Sequence, residues 1–122
     1  MSSARRRLTA DFYRQSALTV APGLVGKLIC RRIGDQVITA RITETEIYYG
    51  ESDTACHAHR GKTPRTQVMY RPGGVAYVYL CYGLHYMFNV VTGEEDFPQA
   101  VLIRGVEGAP GPGRLTKMLQ ID

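Results

Sequence analysis

The sequence predicts a single α+β domain built on a curved, mostly antiparallel sheet of hairpins with short flanking helices. Three observations lead there. Two stretches, 27–49 and 75–91, each read as paired β-forming segments joined at a turn that contains glycine. A shorter apolar run, AVLIRGV at 100–106, supplies one more strand, and helical signals are confined to short segments near the two ends. With 122 residues, 44% of them hydrophobic and 21% charged, one compact domain over 1–122 is expected, with a modest core.

The elements follow in order. Residues 1–7, with Arg5, Arg6 and Arg7, read as a flexible basic tail. Thr9 is a candidate N-cap for a short helix over ADFYRQ, and a second helical turn runs from Ala17 to Val25, interrupted by Pro22. KLICRRI, the turn candidate Gly34-Asp35 and VITARITETEIYY form the first hairpin. Strict alternation puts Ile38, Ala40 and Ile42 on the same face as Glu44, Glu46 and Tyr48, so an apolar face runs into two carboxylates unless the strand is bulged. One of them then sits at the edge of the core, where desolvation makes it a usable base. Periodicity alone favours the plainer reading, in which the strand simply emerges into solvent.

The stretch 50–74 has little periodicity and is rich in Gly, Pro, Thr and charge, so it reads as a long loop with short helical turns, a length that usually serves function. The second hairpin, VAYVYLCYGLHYMFNVV, turns at Tyr82-Gly83-Leu84-His85. In AVLIRGV, Arg104 shares a side with Ala100 and Leu102, so a cation continues an apolar face. GAPGPGRLTKMLQID begins as a Gly/Pro loop and ends as an amphipathic helical turn.

Composition narrows the function. No run approaches the ~20 apolar residues of a membrane span, and the N-terminus has no apolar segment suited to a signal peptide. No membrane partner is therefore expected, and the expected location is the cytoplasm or nucleoid, or the nucleus if the source is eukaryotic. Cys30, Cys56 and Cys81 form an odd set with no CxxC spacing, so reduced thiols are expected. Cys56, His57 and His59 have the residue types of a zinc site or of a Cys–His nucleophile pair, but neither the spacing nor the neighbours support one, and no metal or cofactor is expected. The +4 charge suits a polyanionic partner. Tyr77, Tyr79, Tyr82 and Tyr86 are good cross-strand partners, and they also offer the π-faces on which nucleobases stack.

The segments TETEIYYGESDTACHAHRGKTPRTQVMY, RPGGVAYVYLCYGLHYMFNVV and PQAVLIRGVEG resemble the alkyladenine (3-methylpurine) DNA glycosylase family over most of residues 8–107. The acid and tyrosine of ETEIYYG, a histidine eleven residues after Glu46, YVYLCYG, Asn89 and Arg104 occur in the family's order. GPGRLTKMLQID is similar to a later family segment.

The resemblance implies a monofunctional glycosylase that flips alkylated purines out of duplex DNA and hydrolyses their N-glycosidic bonds. The substrates implied are 3-methyladenine and 7-methylguanine, with hypoxanthine a further candidate. Glu46 matches the general base that activates water, and Arg104 the arginine that helps hold the water and a phosphate. Tyr48 and His57 match residues on one side of the flipped base, and Tyr79 the aromatic on the other. Tyr82 matches the side chain that intercalates into the duplex, and Asn89 the residue that rejects guanine at its 2-amino group. The implied partner is double-stranded DNA, bound by a monomer. Typical members are longer: the segment between Glu107 and Gly111 is short here and the chain stops at Asp122, which is expected to leave open sheet edges. The alternative function is a noncatalytic protein of the same family that binds lesions or DNA.

Overall fold

A computed structural model describes residues 7–53, 58 and 61–122. It shows the predicted α+β class: a curled antiparallel sheet of six strands with three short helices. The strands are β1 (Leu28–Ile33), β2 (Gln36–Tyr49), β3 (Ala76–Cys81), β4 (His85–Val91), β5 (Gln99–Val106) and β6 (Ala109–Pro110). Their order is β1-β2-β5-β4-β3, with β6 against β5. The two hairpins therefore flank β5, the most deeply buried strand.

Helix α1 (Ala10–Tyr13) follows Thr9 as read from sequence, although the threonine side chain makes no cap hydrogen bond. Helix α2 (Ala17–Leu24) is capped by the Ser16 hydroxyl, which accepts from the Leu18 N–H at 3.2 Å. It holds Pro22 in its last turn and ends two residues later. Helix α3 (Pro112–Leu119) starts on a proline, which costs nothing where the N–H has no partner. The apolar sides of α2 and α3 cover one face of the sheet, where Val20, Leu24, Ile42, Ile103, Leu115 and Leu119 form the main core. The other face carries a second cluster, with Ala58, Met69, Tyr70, Tyr77, Val91 and Ala100, under the long loop and its 3₁₀ turn Gln67–Tyr70.

One expectation is corrected. Ile42 pairs with Val106 and Thr45 with Ile103, and the register shifts on both sides of Glu44. An extra residue in β2 at this bulge reverses the alternation. Ile47 consequently packs with Ile38, Ala40 and Ile42 in the main core, while Tyr48 joins the second cluster on the opposite face. Glu46 goes with Tyr48, its hydroxyl partner, and so does not share the face of Ile38, Ala40 and Ile42. In β5, Val106 and Ile103 both lie in the main core although three residues apart, so that strand takes up the compensating residue near Arg104 and Gly105. The two bulges lie side by side.

Candidate active site

The second face of the sheet assembles the site. Glu46 pairs across strands with Leu102, Leu102 with Asn89, and Asn89 with Tyr77, so β2, β5, β4 and β3 each contribute along one line of register. Alternation then brings in Tyr48, Arg104 and Tyr79. Arg104 Nη1 donates to Glu46 Oε2 at 2.6 Å. The Tyr48 hydroxyl leans toward the other carboxylate oxygen, Oε1, at 3.4 Å. The carboxylate is thereby tethered on one oxygen and left with open acceptor positions on the other.

Glu46 and Arg104 keep 38% and 45% of their side-chain exposure. The desolvation expected for a carboxylate at a core edge is therefore small, and Arg104 balances its charge instead. Arg104 is in turn raised above its ordinary range, chiefly by the hydrogen bond to Glu46 and then by the attraction of that charge. Burial pushes the Tyr48 phenol upward from 10.0, and neighbouring Glu46 adds to the shift. The Tyr79 phenol is pushed up to about 12, first by burial and next by Cys81. Both rings are neutral over the physiological range, with intact π-faces.

Tyr48, Met69, Tyr77, Tyr79, Asn89 and Ala100 line a narrow cleft beside this pair. Its interior is about 10 Å³, the room one water needs, so the rings must part to admit anything larger. Asn89 is only 1% exposed, and its amide donates to the carbonyls of Tyr77 (3.1 Å) and Met87 (3.4 Å). Those bonds fix the side chain at the cleft wall, where a rigid group excludes what it does not fit.

Tyr82 stands three residues beyond Tyr79, about 10 Å along an extended chain. It is 95% exposed, at the hairpin tip. Tyr82 (φ 52°) and Gly83 (φ 68°) are both left-handed, and the Leu84 N–H donates to the Cys81 carbonyl at 3.0 Å. These are marks of a type I′ turn, although His85, placed in the turn by sequence, belongs to β4. Next to Tyr82, Leu84 is also largely exposed.

His57 lies outside the described residues, as do Cys56 and His59, while the neighbouring Ala58 is fully buried in the second cluster. Among the described residues no group of three or more His, Cys, Asp or Glu side chains is placed to hold a metal. No helix among them is long and apolar enough to cross a membrane. Sequence reasoning missed Met69, which looks like an ordinary core residue, and Arg65, whose guanidinium lies over the Tyr79 ring.

The fold and site define a small antiparallel α+β protein in which an acid–arginine pair stands beside an aromatic cleft. Residues 11–110 match the methylpurine-DNA glycosylase (MPG) family, and the chain belongs to that family. It is 52% identical over 123 residues to a protein of Borreliella burgdorferi strain ZS7, covering 91% of this chain and 66% of the relative. A protein of Myxococcus xanthus is 52% identical over 121 residues, covering 92% and 62%. One of Natranaerobius thermophilus is 47% identical over 138 residues, covering 95% and 70%. All three carry the name "Putative 3-methyladenine DNA glycosylase". The chain thus spans about two thirds of the length of the curated relatives it matches.

Proposed function

We propose that this protein is a monofunctional DNA glycosylase that excises alkylated purines, 3-methyladenine first among them, from double-stranded DNA. The observation that carries this reading is the Glu46–Arg104 pair at 2.6 Å beside the cleft of Tyr48, Tyr79 and Asn89. Names of the relatives support the same substrate class.

Tyr82, held outward by the turn, enters the duplex and fills the space of the extruded nucleotide, offsetting the few kcal/mol lost in unstacking. The purine enters between Tyr48 and Tyr79. A base alkylated at N3 or N7 is cationic and gains cation–π attraction from neutral rings that an undamaged base lacks. Asn89 rejects guanine by its fixed position. Glu46 Oε1, with an acceptor position left beside the Tyr48 hydroxyl, orients a water toward C1′. As the C1′–N bond breaks, its electron pair neutralises the departing base, the water oxygen bonds to C1′, and its proton passes to Glu46. The fixed negative charge of Glu46 also faces the cationic sugar at the transition state. 7-Methylguanine carries the same 2-amino group that Asn89 opposes, so its excision relies on its cationic, weakened N-glycosidic bond, whereas hypoxanthine is neutral and requires a proton at the base.

Incubating the chain with methylated duplex and assaying free 3-methyladenine tests this reading, with borohydride present in a parallel sample. Base release without a trapped covalent protein–DNA adduct is expected. The nearly closed cleft favours a second reading, a noncatalytic lesion binder, and tight binding to an abasic duplex without any base release would establish it in place of the first.

A further inference from the structure

Arg65 was assigned no role in the chemistry above, yet its setting is specific. Its guanidinium carbon lies 5.7 Å from the centroid of the Tyr79 ring. Arg65 is not among the residues that line the cleft, although the ring beside it is. The turn that carries it is braced: the Thr63 N–H donates to Thr66 Oγ1 (2.9 Å), the Thr66 N–H returns to Thr63 Oγ1 (3.2 Å), and Thr66 Oγ1 donates to the Gly61 carbonyl (3.1 Å). Thr66 is 4% exposed, so one half of this reciprocal cap is buried while Thr63 and Arg65 face solvent.

The same turn sends Lys62 over the Tyr70 ring at 5.5 Å, but the Tyr70 hydroxyl donates to Glu51, so that cation is set beside an acid. Arg65 has no ion pair among the described residues. A guanidinium held beside an aromatic ring still has N–H groups to offer, in the fork that takes phosphate oxygens in pairs. It is exposed and lies beside a ring of the cleft wall, within reach of the backbone of a strand that feeds the cleft.

We propose that Arg65 is a phosphate-binding residue of the DNA surface, preorganised by its cation–π contact with Tyr79. This rests on the reading of the protein as a binder of duplex DNA, and it extends that reading to a residue acting on the backbone rather than the base. That contact reduces the rotamer freedom to be lost when the phosphate arrives.

The test is equilibrium binding of a fluorescent, undamaged duplex by wild type, Arg65→Gln and Arg65→Lys across a salt series, with thermal melts alongside. Arg65→Gln should lower the steepness of log affinity against log salt by about 0.9, the effect of one lost phosphate contact. Arg65→Lys keeps the charge and should keep the slope, yet lose about three- to fivefold in affinity at fixed salt because an ammonium cannot offer a phosphate the paired N–H groups of a guanidinium. A slope unchanged in Arg65→Gln, or Arg65→Lys binding as tightly as wild type, overturns the proposal. Base release is not measured, so a chain that binds duplex without excising anything still decides the role of Arg65. Wild type without salt-dependent duplex binding would instead refute the DNA-binding reading beneath it.

Discussion

Replacing Tyr82 with Asn should make this protein more stable and less active at once. Tyr82 occupies the left-handed region at φ 52°, where a side chain with a Cβ costs ~1–2 kcal/mol that Asn largely avoids. The ring is 95% exposed, so no packing is lost with it. Asn followed by Gly83 is moreover the preferred pair for a type I′ hairpin turn. A net gain of ~1 kcal/mol follows, which in a domain of this size raises Tm by about 3–6 °C. Activity runs the other way. Without the ring, nothing fills the gap left by the extruded nucleotide, and a loss of ~2–3 kcal/mol of the unstacking compensation lowers release by about 30- to 150-fold. Differential scanning calorimetry and single-turnover release of 3-methyladenine read the two effects. A lower Tm would refute the turn-strain argument, and unimpaired release would refute the wedge.

Other outcomes follow from the same site. Arg104→Ala should move stability by no more than ~1 kcal/mol, because the pair is exposed, yet slow base release by tenfold or more, order of magnitude, since Glu46 loses its tether; a thermal melt and a single-turnover rate on one preparation separate the two. Asn89→Ala removes two hydrogen bonds inside the core and should cost ~2 kcal/mol in urea unfolding, while making release of undamaged guanine detectable. The Tyr79 phenol is raised in the folded state from 10.0 to about 12, so its contribution to stability is full below pH 10.0 and is lost as pH rises toward about 12. Tyr79→Phe should therefore flatten the fall of stability across that window, and an unchanged alkaline profile would contradict the assignment.

Much of the fold was legible because its signals are local. β-Formers on both sides of a glycine turn marked both hairpins, and the helical segments after Thr9, from Ala17 and in the C-terminal GPGRLTKMLQID are read from short-range patterns, although Thr9 makes no cap hydrogen bond. The bulge at Glu44 was not legible. Alternation counts residues, and one extra residue leaves composition and propensity unchanged while moving Glu46 and Tyr48 to the opposite face. The placement of Glu46 beside an apolar run was thus correct in outline and reversed in side, with Arg104 balancing the charge that burial was expected to perturb. Arg65 over Tyr79 joins a loop to a strand fourteen residues away, a pairing no periodicity reports. Met69, which no sequence signal singles out, becomes part of the cleft only because the 3₁₀ turn folds against Ala100 and Tyr77.

The role of Glu46 is tested most directly by the single-turnover rate of 3-methyladenine release from one alkylated duplex by wild type and Glu46→Gln at saturating protein, with duplex affinity measured on the same samples. Gln fills nearly the same volume and can still accept a hydrogen bond from Arg104, so binding should stay within about threefold, while release should fall by about 10²–10⁴-fold for want of a base. Equal release by the two proteins would contradict the account, because it would leave the water with no partner at the position on which the whole site converges.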